Sequence, residues 1–238
     1  MPTAILVDGE FFLRRFEHYF PSLDRKDPKQ VAHGLRVLTH WHLLFGIDEP
    51  TVQAQLASKF NREETPALYR IFFYYCPPLI KRMQTPIGKR ARNFAETDEA
   101  KFRLALHREL RNLRKIALRL GRLNETARWK LTIDATERLI KSPNTFVPID
   151  EDFKIDTIQK GVDMRLGLDV ASLAFKKQVD QIVIVCADAD FVPAAKLARR
   201  EGIDVILDRM GAKNAANDLQ EHVDAVKDCY VPDAKMNA

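Results

Sequence analysis

The strongest constraint on this chain is a set of short apolar runs that stop at a carboxylate or a turn. Ala4-Ile5-Leu6-Val7 ends at Asp8-Gly9, and Gln181-Ile182-Val183-Ile184-Val185 is followed closely by Asp188. Tyr69 to Tyr75 is aromatic and β-branched and stops at Pro77-Pro78, and Asp204-Val205-Ile206-Leu207 forms a further run. Continuous apolar runs of this length read as strands covered on both faces, the condition of a parallel sheet. Helical spacing fills the intervals over Lys29 to Phe45 and Pro50 to Phe60, with Pro28 and Pro50 where a helix start tolerates proline. It returns at about Asp163 to Lys176, Phe191 to Arg200 and a closing helix over Asn217 to Asp228. Strands alternating with helices form right-handed βαβ units, so the expected fold is α/β with a central parallel sheet.

The segment from Lys81 to Lys141 departs from that pattern. It carries 17 Lys or Arg against 7 Asp or Glu, a net of +10 in a chain of net charge +5, so the remainder carries −5. Gln84 to Ala100, with Pro86, Gly88, Lys89, Arg90 and Arg92, reads as a mobile basic loop. Phe102, Leu106, Leu110 and Leu113 then recur every three or four residues, which sets Arg103, Arg108, Arg111, Arg114 and Lys115 on the opposite arc of an amphipathic helix. Ile116, Leu118 and Leu120 alternate as another strand, Glu125 to Ile140 takes no assigned element, and Lys141 to Phe153 reads as a loop. A charged helix face is usually only a solvated one. Here Arg119 and Arg122 extend the excess, which favours contact with a phosphate backbone through Lys89, Arg90, Arg92, Arg103, Arg111 and Arg114. Few aromatics interleave with these residues, so stacking on bases has less support than backbone contact.

At 238 residues and 46% hydrophobic the chain can build one elaborated domain, expected over residues 1–230 with a basic insertion at about 81–145 and a tail at 231–238. Cys76, Cys186 and Cys229 form no C-x-x-C pair, which argues against a disulfide framework or structural zinc and fits a reducing cytoplasm. No apolar run approaches the ~20 residues that span a bilayer, and Asp8 and Glu10 interrupt the first one before a signal peptide could form. The expected protein is soluble and cytoplasmic, with no membrane partner; a homodimer is compatible with it.

In an open parallel sheet the functional crevice lies beyond the carboxyl ends of the strands, where strand order reverses. Asp8 and the Asp188-Ala189-Asp190 group follow directly from apolar strands and converge there if those strands are neighbours. Asp163 shares a helical face with Leu166, Gly167, Val170 and Ala174, where a carboxylate needs a counter-charge. Carboxylates without His or Cys suit Mg²⁺ or Mn²⁺ rather than zinc, and such sites hydrolyse phosphodiesters. Any one of these aspartates has the simpler explanation of a turn or an N-cap, so the reading rests on their convergence. Asp169 reads as an exposed ion pair with Arg165, Cys186 as inert packing, and His40-Trp41-His42 points its two rings to different sides, against a metal pair.

These residues resemble the NYN domain, a branch of the PIN-like nucleases. Ala4 to Glu10 looks like the family's hydrophobic-Asp-Gly signature, Gln159 to Asp169 like its Lys-Gly-Val-Asp helix, and Ile184 to Phe191 like its Ser-Gly-Asp-Ser-Asp-Phe strand end. The resemblance spans Thr3 to about Val226 and is weakest between Gln84 and Phe153. It implies a PIN-like three-layer fold with about five parallel strands in order 3-2-1-4-5, elaborated by the basic helical insertion. It also implies metal-dependent ribonuclease activity, with Asp8, Asp163 and Asp188 as metal-binding catalytic acids and Asp190 in support. Asp169 matches a recurrent acidic position of the family. The chain departs from the pattern at Phe11, where many members have Asn, and at Cys186, Ala187 and Ala189 in the third motif.

The resulting expectation is a Mg²⁺- or Mn²⁺-dependent endoribonuclease whose partner is RNA. The alternative is a non-catalytic RNA-binding or adaptor module. A phosphatase with Asp8 as nucleophile ranks below both, because Asp8-Gly9-Glu10-Phe11 lacks the Asp-x-Asp-x-Thr pattern, and no glycine-rich dinucleotide or P-loop motif follows a strand.

Overall fold

Every residue from Thr3 to Val7 in β1 (Thr3–Asp8) is buried, as a run covered from both sides requires. Helix α1 (Gly9–Tyr19) follows without a loop because Asp8 caps it, accepting from the N–H groups of Glu10 and Phe11 at 3.0 and 3.2 Å. Gly9 permits this abrupt turn: a Cβ there would lie 2.7 Å from the carbonyl oxygen of Tyr74. Next come α2 (Pro28–Leu44), β2 (Leu68–Tyr75), β3 (Arg82–Gln84), β4 (Ala91–Asn93) and α3 (Asp98–Asn112). After these lie β5 (Ile116–Leu120), β6 (Arg122–Leu123), β7 (Arg128–Leu131), α4 (Ile133–Lys141), β8 (Phe153–Asp156) and β9 (Gln159–Lys160). The chain continues with α5 (Val162–Phe175), β10 (Gln181–Val185), α6 (Val192–Arg200), β11 (Asp204–Asp208), α7 (Asn217–Gln220) and β12 (Ala225–Val226). The computed structural model describes residues 2–44, 67–123, 128–157, 159–212 and 217–228, so the helix expected over Pro50 to Phe60 lies outside the described residues.

The central sheet has the order β12-β11-β10-β1-β2-β5 and every pair in it is parallel. Counting only these strands along the chain, the order is 3-2-1-4-5 with a sixth, two-residue strand added at one edge. Alternation along each strand divides the core between two faces. Ile5, Val7, Ile71, Phe73, Val183 and Val185 pack with Phe12, Phe16, Leu35, Leu38, Leu106 and Leu110 of α1, α2 and α3. Ala4, Leu6, Phe72, Tyr74, Ile182 and Ile184 pack with Leu166, Val170, Leu173, Ala195 and Ala198 of α5 and α6. Each fully buried Leu or Phe contributes about 1.5–3 kcal/mol, and these two layers hold the sheet between them. Among the described residues no helix is long and apolar enough to cross a membrane.

Three expectations change. The basic loop is a β3–β4 hairpin, pinned from outside by Asp150, which accepts from the N–H groups of Ile87 and Gly88 at 2.9 and 3.0 Å. Part of the basic segment belongs to the main layers, since α3 buries Leu106 and Leu110 and β5 is a sheet strand. Among the described residues the hairpin, β6, β7 and α4 stand outside them, with β8 and β9 paired to β7 and β6. The closing helix is short: α7 stops at Gln220 and the chain turns into β12. The open edge of β11 accounts for this, because Asp224 and Lys227 donate backbone N–H bonds to Val205 and Leu207 at 2.8 Å, satisfying carbonyls that a helix could not reach.

Candidate active site at the carboxyl edge of the sheet

From β1 the chain builds outward in one direction through β2 and β5 and in the other through β10 and β11, so strand order reverses at β1. Val7 pairs with Val185, and the residues leaving these two strands emerge side by side. Asp8 is half-buried. Burial pushes its carboxyl above the ordinary range, opposed by the two N–H groups it caps and by Arg14. Asp188 is exposed and caps the 3-10 turn Ala189–Phe191, its Oδ1 accepting from the N–H of Asp190 at 3.0 Å. Cys186 lies buried between them, and burial, reinforced by the charges of Asp8 and Asp188, drives its thiol far up, which leaves it inert.

Asp163 arrives from the other side of the crevice. Gly161, at φ 77°, makes the left-handed turn that opens α5 and sets Asp163 in its first turn. Sequence spacing put Asp163 on the apolar face; Leu166, Val170 and Ala174 are indeed buried, but Asp163 is exposed, since the first turn projects past the sheet. Its carboxyl is raised above the ordinary range by partial desolvation and then by the negative charges of Asp188 and Asp190. Asp163 therefore lies within electrostatic reach of Asp188 and Asp190, and the β1–β10 pairing brings Asp8 out beside the segment that carries Asp188.

This donor set is all carboxylate. The Oδ1 atoms of Asp8 and Asp188 are engaged by backbone N–H groups, and the carboxyl of Asp163 is raised by desolvation and by its carboxylate neighbours Asp188 and Asp190. A hard divalent cation with oxygen ligands fits these residues. Elsewhere, Asp218, Glu221 and His222 bring one ligand atom each within 4.8 Å of one another at the end of α7. That cluster had not been singled out in the sequence, although its i, i+3, i+4 spacing was available.

The cationic candidates do not form one stripe. Arg103 is tied to glutamates rather than to the aspartates: its side chain is only 16% exposed, it pairs with Glu99, its Nη2 lies 3.5 Å from Oε2 of Glu10, and its guanidinium stacks 4.5 Å over Tyr75. Lys89 and Arg92 sit on the hairpin and are exposed, whereas Arg90 is paired with Asp150 at 3.1 Å. Arg111 and Arg114 lie at the other end, because α3 runs back along the sheet and eight residues of helix separate Arg103 from Arg111 by about 12 Å. Arg114 lines a pocket with Arg36, Leu68 and Lys115 at the amino end of β2.

Asp169 is engaged, but not with Arg165. Arg119 donates from Nε and Nη2 at 2.9 and 3.2 Å, and the Tyr74 hydroxyl donates at 2.9 Å. Arg119 also stacks on Phe72, so it is not a free phosphate contact. The two histidines do diverge: His42 is buried with Nε2 2.7 Å from Oδ2 of Asp208, while His40 meets the carbonyl of Arg36. Phe11 is buried in the core and offers no polar atom to the crevice beyond its backbone N–H. Sequence reasoning missed Glu10, Tyr74 and the aromatic pair Phe94 and Trp129, whose rings lie 6.0 Å apart.

The profile of the NYN domain family matches residues 89–228, which includes Asp163, Asp188 and Asp190 but begins after Asp8. No curated protein matches the chain. The crystal structure of a protein of unknown function from Vibrio parahaemolyticus is similar over 98% of this chain and 93% of its own, at 16% identity and a TM-score of 0.42.

Proposed function

This chain belongs to the NYN domain family of the PIN-like superfamily, and from that premise we propose that it is a Mg²⁺- or Mn²⁺-dependent endoribonuclease acting as one elaborated domain. The observation that carries the reading is the convergence of Asp8, Asp163, Asp188 and Asp190 at the point where strand order reverses. Asp8, Asp163 and Asp188 would hold the cation, with Asp190 in support. A divalent cation bound there supplies Lewis acidity toward a phosphate oxygen and lowers the pKa of water.

The chain's own groups do the rest. The α1 N–H groups fix Asp8, and the Asp190 N–H fixes Asp188, so neither carboxylate must reorganise as charge develops on the phosphate. Arg103 is taken up by Glu99, Glu10 and Tyr75, so the exposed Lys89 and Arg92 of the hairpin are the cations offered to a flanking phosphate. The test is cleavage of labelled RNA with Mn²⁺ by the wild type and by the Asp8→Asn, Asp188→Asn double variant. Cleavage by the wild type alone supports the reading, and equal activity in both proteins sinks it.

One observation favours a second reading, a non-catalytic RNA-binding or adaptor module. Phe11, Cys186, Ala187 and Ala189 leave apolar side chains where many family members carry polar ones. That module binds RNA in EDTA and turns none over with any metal; cleavage abolished by Asp163→Ala excludes it.

A further inference from the structure

We propose that the pocket between the basic hairpin and the start of α3 holds one unpaired nucleobase of the RNA strand, so that stacking contributes to substrate choice next to the carboxylate crevice. The inference deepens the nuclease reading and rests on it only for what happens to the RNA after binding. The open pocket has a volume of about 310 Å³ and is lined by Pro77, Arg92, Phe94, Glu99, Arg103 and Ile155 among others. That volume is at the small end of the ~300–1,000 Å³ typical of ligand sites, room for one base rather than a base pair.

Its walls have the chemistry of a base. The Arg92 guanidinium lies 5.1 Å over the half-buried ring of Phe94, forming with it a stacked platform whose outer, guanidinium face can take a base, and the tilted ring of Trp129 lies 6.0 Å from Phe94. Trp129 is itself fixed, because its Nε1 donates to the carbonyl of Gln84 at 2.9 Å. Arg103 closes the inner side and is the wall shared with the crevice, since it also touches Glu10, two residues from Asp8. Aromatic faces and planar guanidinium groups stack unpaired bases. Of the charged groups lining the pocket, Glu99 is paired with Arg103, which leaves the exposed Arg92 to meet an anionic strand, on a hairpin that also carries Lys81, Arg82 and Lys89. A duplex keeps its bases stacked inside and offers this pocket none. The few aromatics of the basic segment thus stand against its arginines in space, as Phe94 does under Arg92.

The experiment is binding of a labelled single-stranded RNA in EDTA, where no cleavage intervenes. Phe94→Ala should weaken binding about 5- to 100-fold, the range expected for one stacked base, and Phe94→Tyr should stay within about twofold. The wild type should bind RNA of the same length made of abasic nucleotides as weakly as Phe94→Ala binds intact RNA, and duplex binding should not change with Phe94→Ala. Intact RNA should also quench Trp129 fluorescence in a Trp41→Phe background, Trp129 then being the single tryptophan. Phe94→Ala binding intact RNA like the wild type, no quenching, or equal affinity for abasic RNA overturns the pocket. The two readings fail separately. Cleavage with binding indifferent to Phe94 removes the pocket alone, and Phe94-dependent binding without cleavage by any metal removes the nuclease alone.

Discussion

Replacing Arg119 by Met should destabilise the protein measurably, because it strands the Asp169 carboxylate with one hydroxyl donor. Among the described residues Arg119 supplies two of the three side-chain hydrogen bonds that Asp169 accepts, in a charge-assisted fork. Removing one partner of a fully buried ion pair costs about 3–5 kcal/mol. Here the Arg119 and Asp169 side chains are 41% and 20% exposed, so water relieves part of that loss and about 1–3 kcal/mol is expected. In a chain of 238 residues this corresponds to a fall in Tm of about 2–12 °C. The assay is urea and thermal unfolding of Arg119→Met, Asp169→Asn and the double variant. The double variant lacks the stranded charge and should recover about 1 kcal/mol or more relative to additivity. Function follows through α5, which carries Asp163 six residues ahead of Asp169: Mn²⁺ binding should weaken in Arg119→Met and survive in Asp169→Asn. Additive variants, or Mn²⁺ binding that strengthens in Arg119→Met and vanishes in Asp169→Asn, would refute the anchoring role and make Asp169 a ligand.

Further outcomes follow from the same geometry. Asp163 has a folded-state carboxyl raised above its unfolded value, so its contribution is favourable at low pH and is lost as pH rises through the folded value; Asp163→Asn should therefore raise Tm in EDTA at pH 7 and not at pH 3. Mn²⁺ at a hundred times its Kd should stabilise the wild type by ~2.7 kcal/mol, about 5–11 °C, and Asp163→Asn far less, as read by thermal melts. In RNA-binding titrations against salt, Arg92→Ala should flatten the log-log slope by about 0.7, while Arg111→Ala and Arg114→Ala, at the other end of α3, leave it unchanged. Gly9→Ala should lower stability in urea by about 1–3 kcal/mol, because its Cβ would meet the Tyr74 carbonyl and the Phe73 ring.

What could be read in the sequence was what local pattern determines. The apolar runs of β1 and β10 stop where their carboxylates must leave the sheet, so Asp8 and Asp188 were identifiable without knowing their neighbours. Asp163 was found through the helix that carries it, but its exposure depends on how far α5 projects past the sheet, which periodicity does not encode. The partners of charged groups were hidden for the same reason: Arg119 meets Asp169 across 50 residues and Arg90 meets Asp150 across 60. A basic helix face looks continuous on a wheel, yet the rise of α3 separates Arg103 from Arg111 by about 12 Å along its axis. The 217–228 segment has helical spacing, and the unsatisfied edge of β11 overrides it.

The central claim is that these four aspartates form a cation site, and a Mn²⁺-soaked crystal measured for anomalous scattering tests it most directly. The expected result is a peak between Asp8, Asp163 and Asp188, within the ~2.0–2.2 Å reach of carboxylate oxygens and lost in Asp163→Ala. A peak confined to Asp218, Glu221 and His222, or an Asp8–Asp188 crevice that stays empty at saturating Mn²⁺, would contradict it.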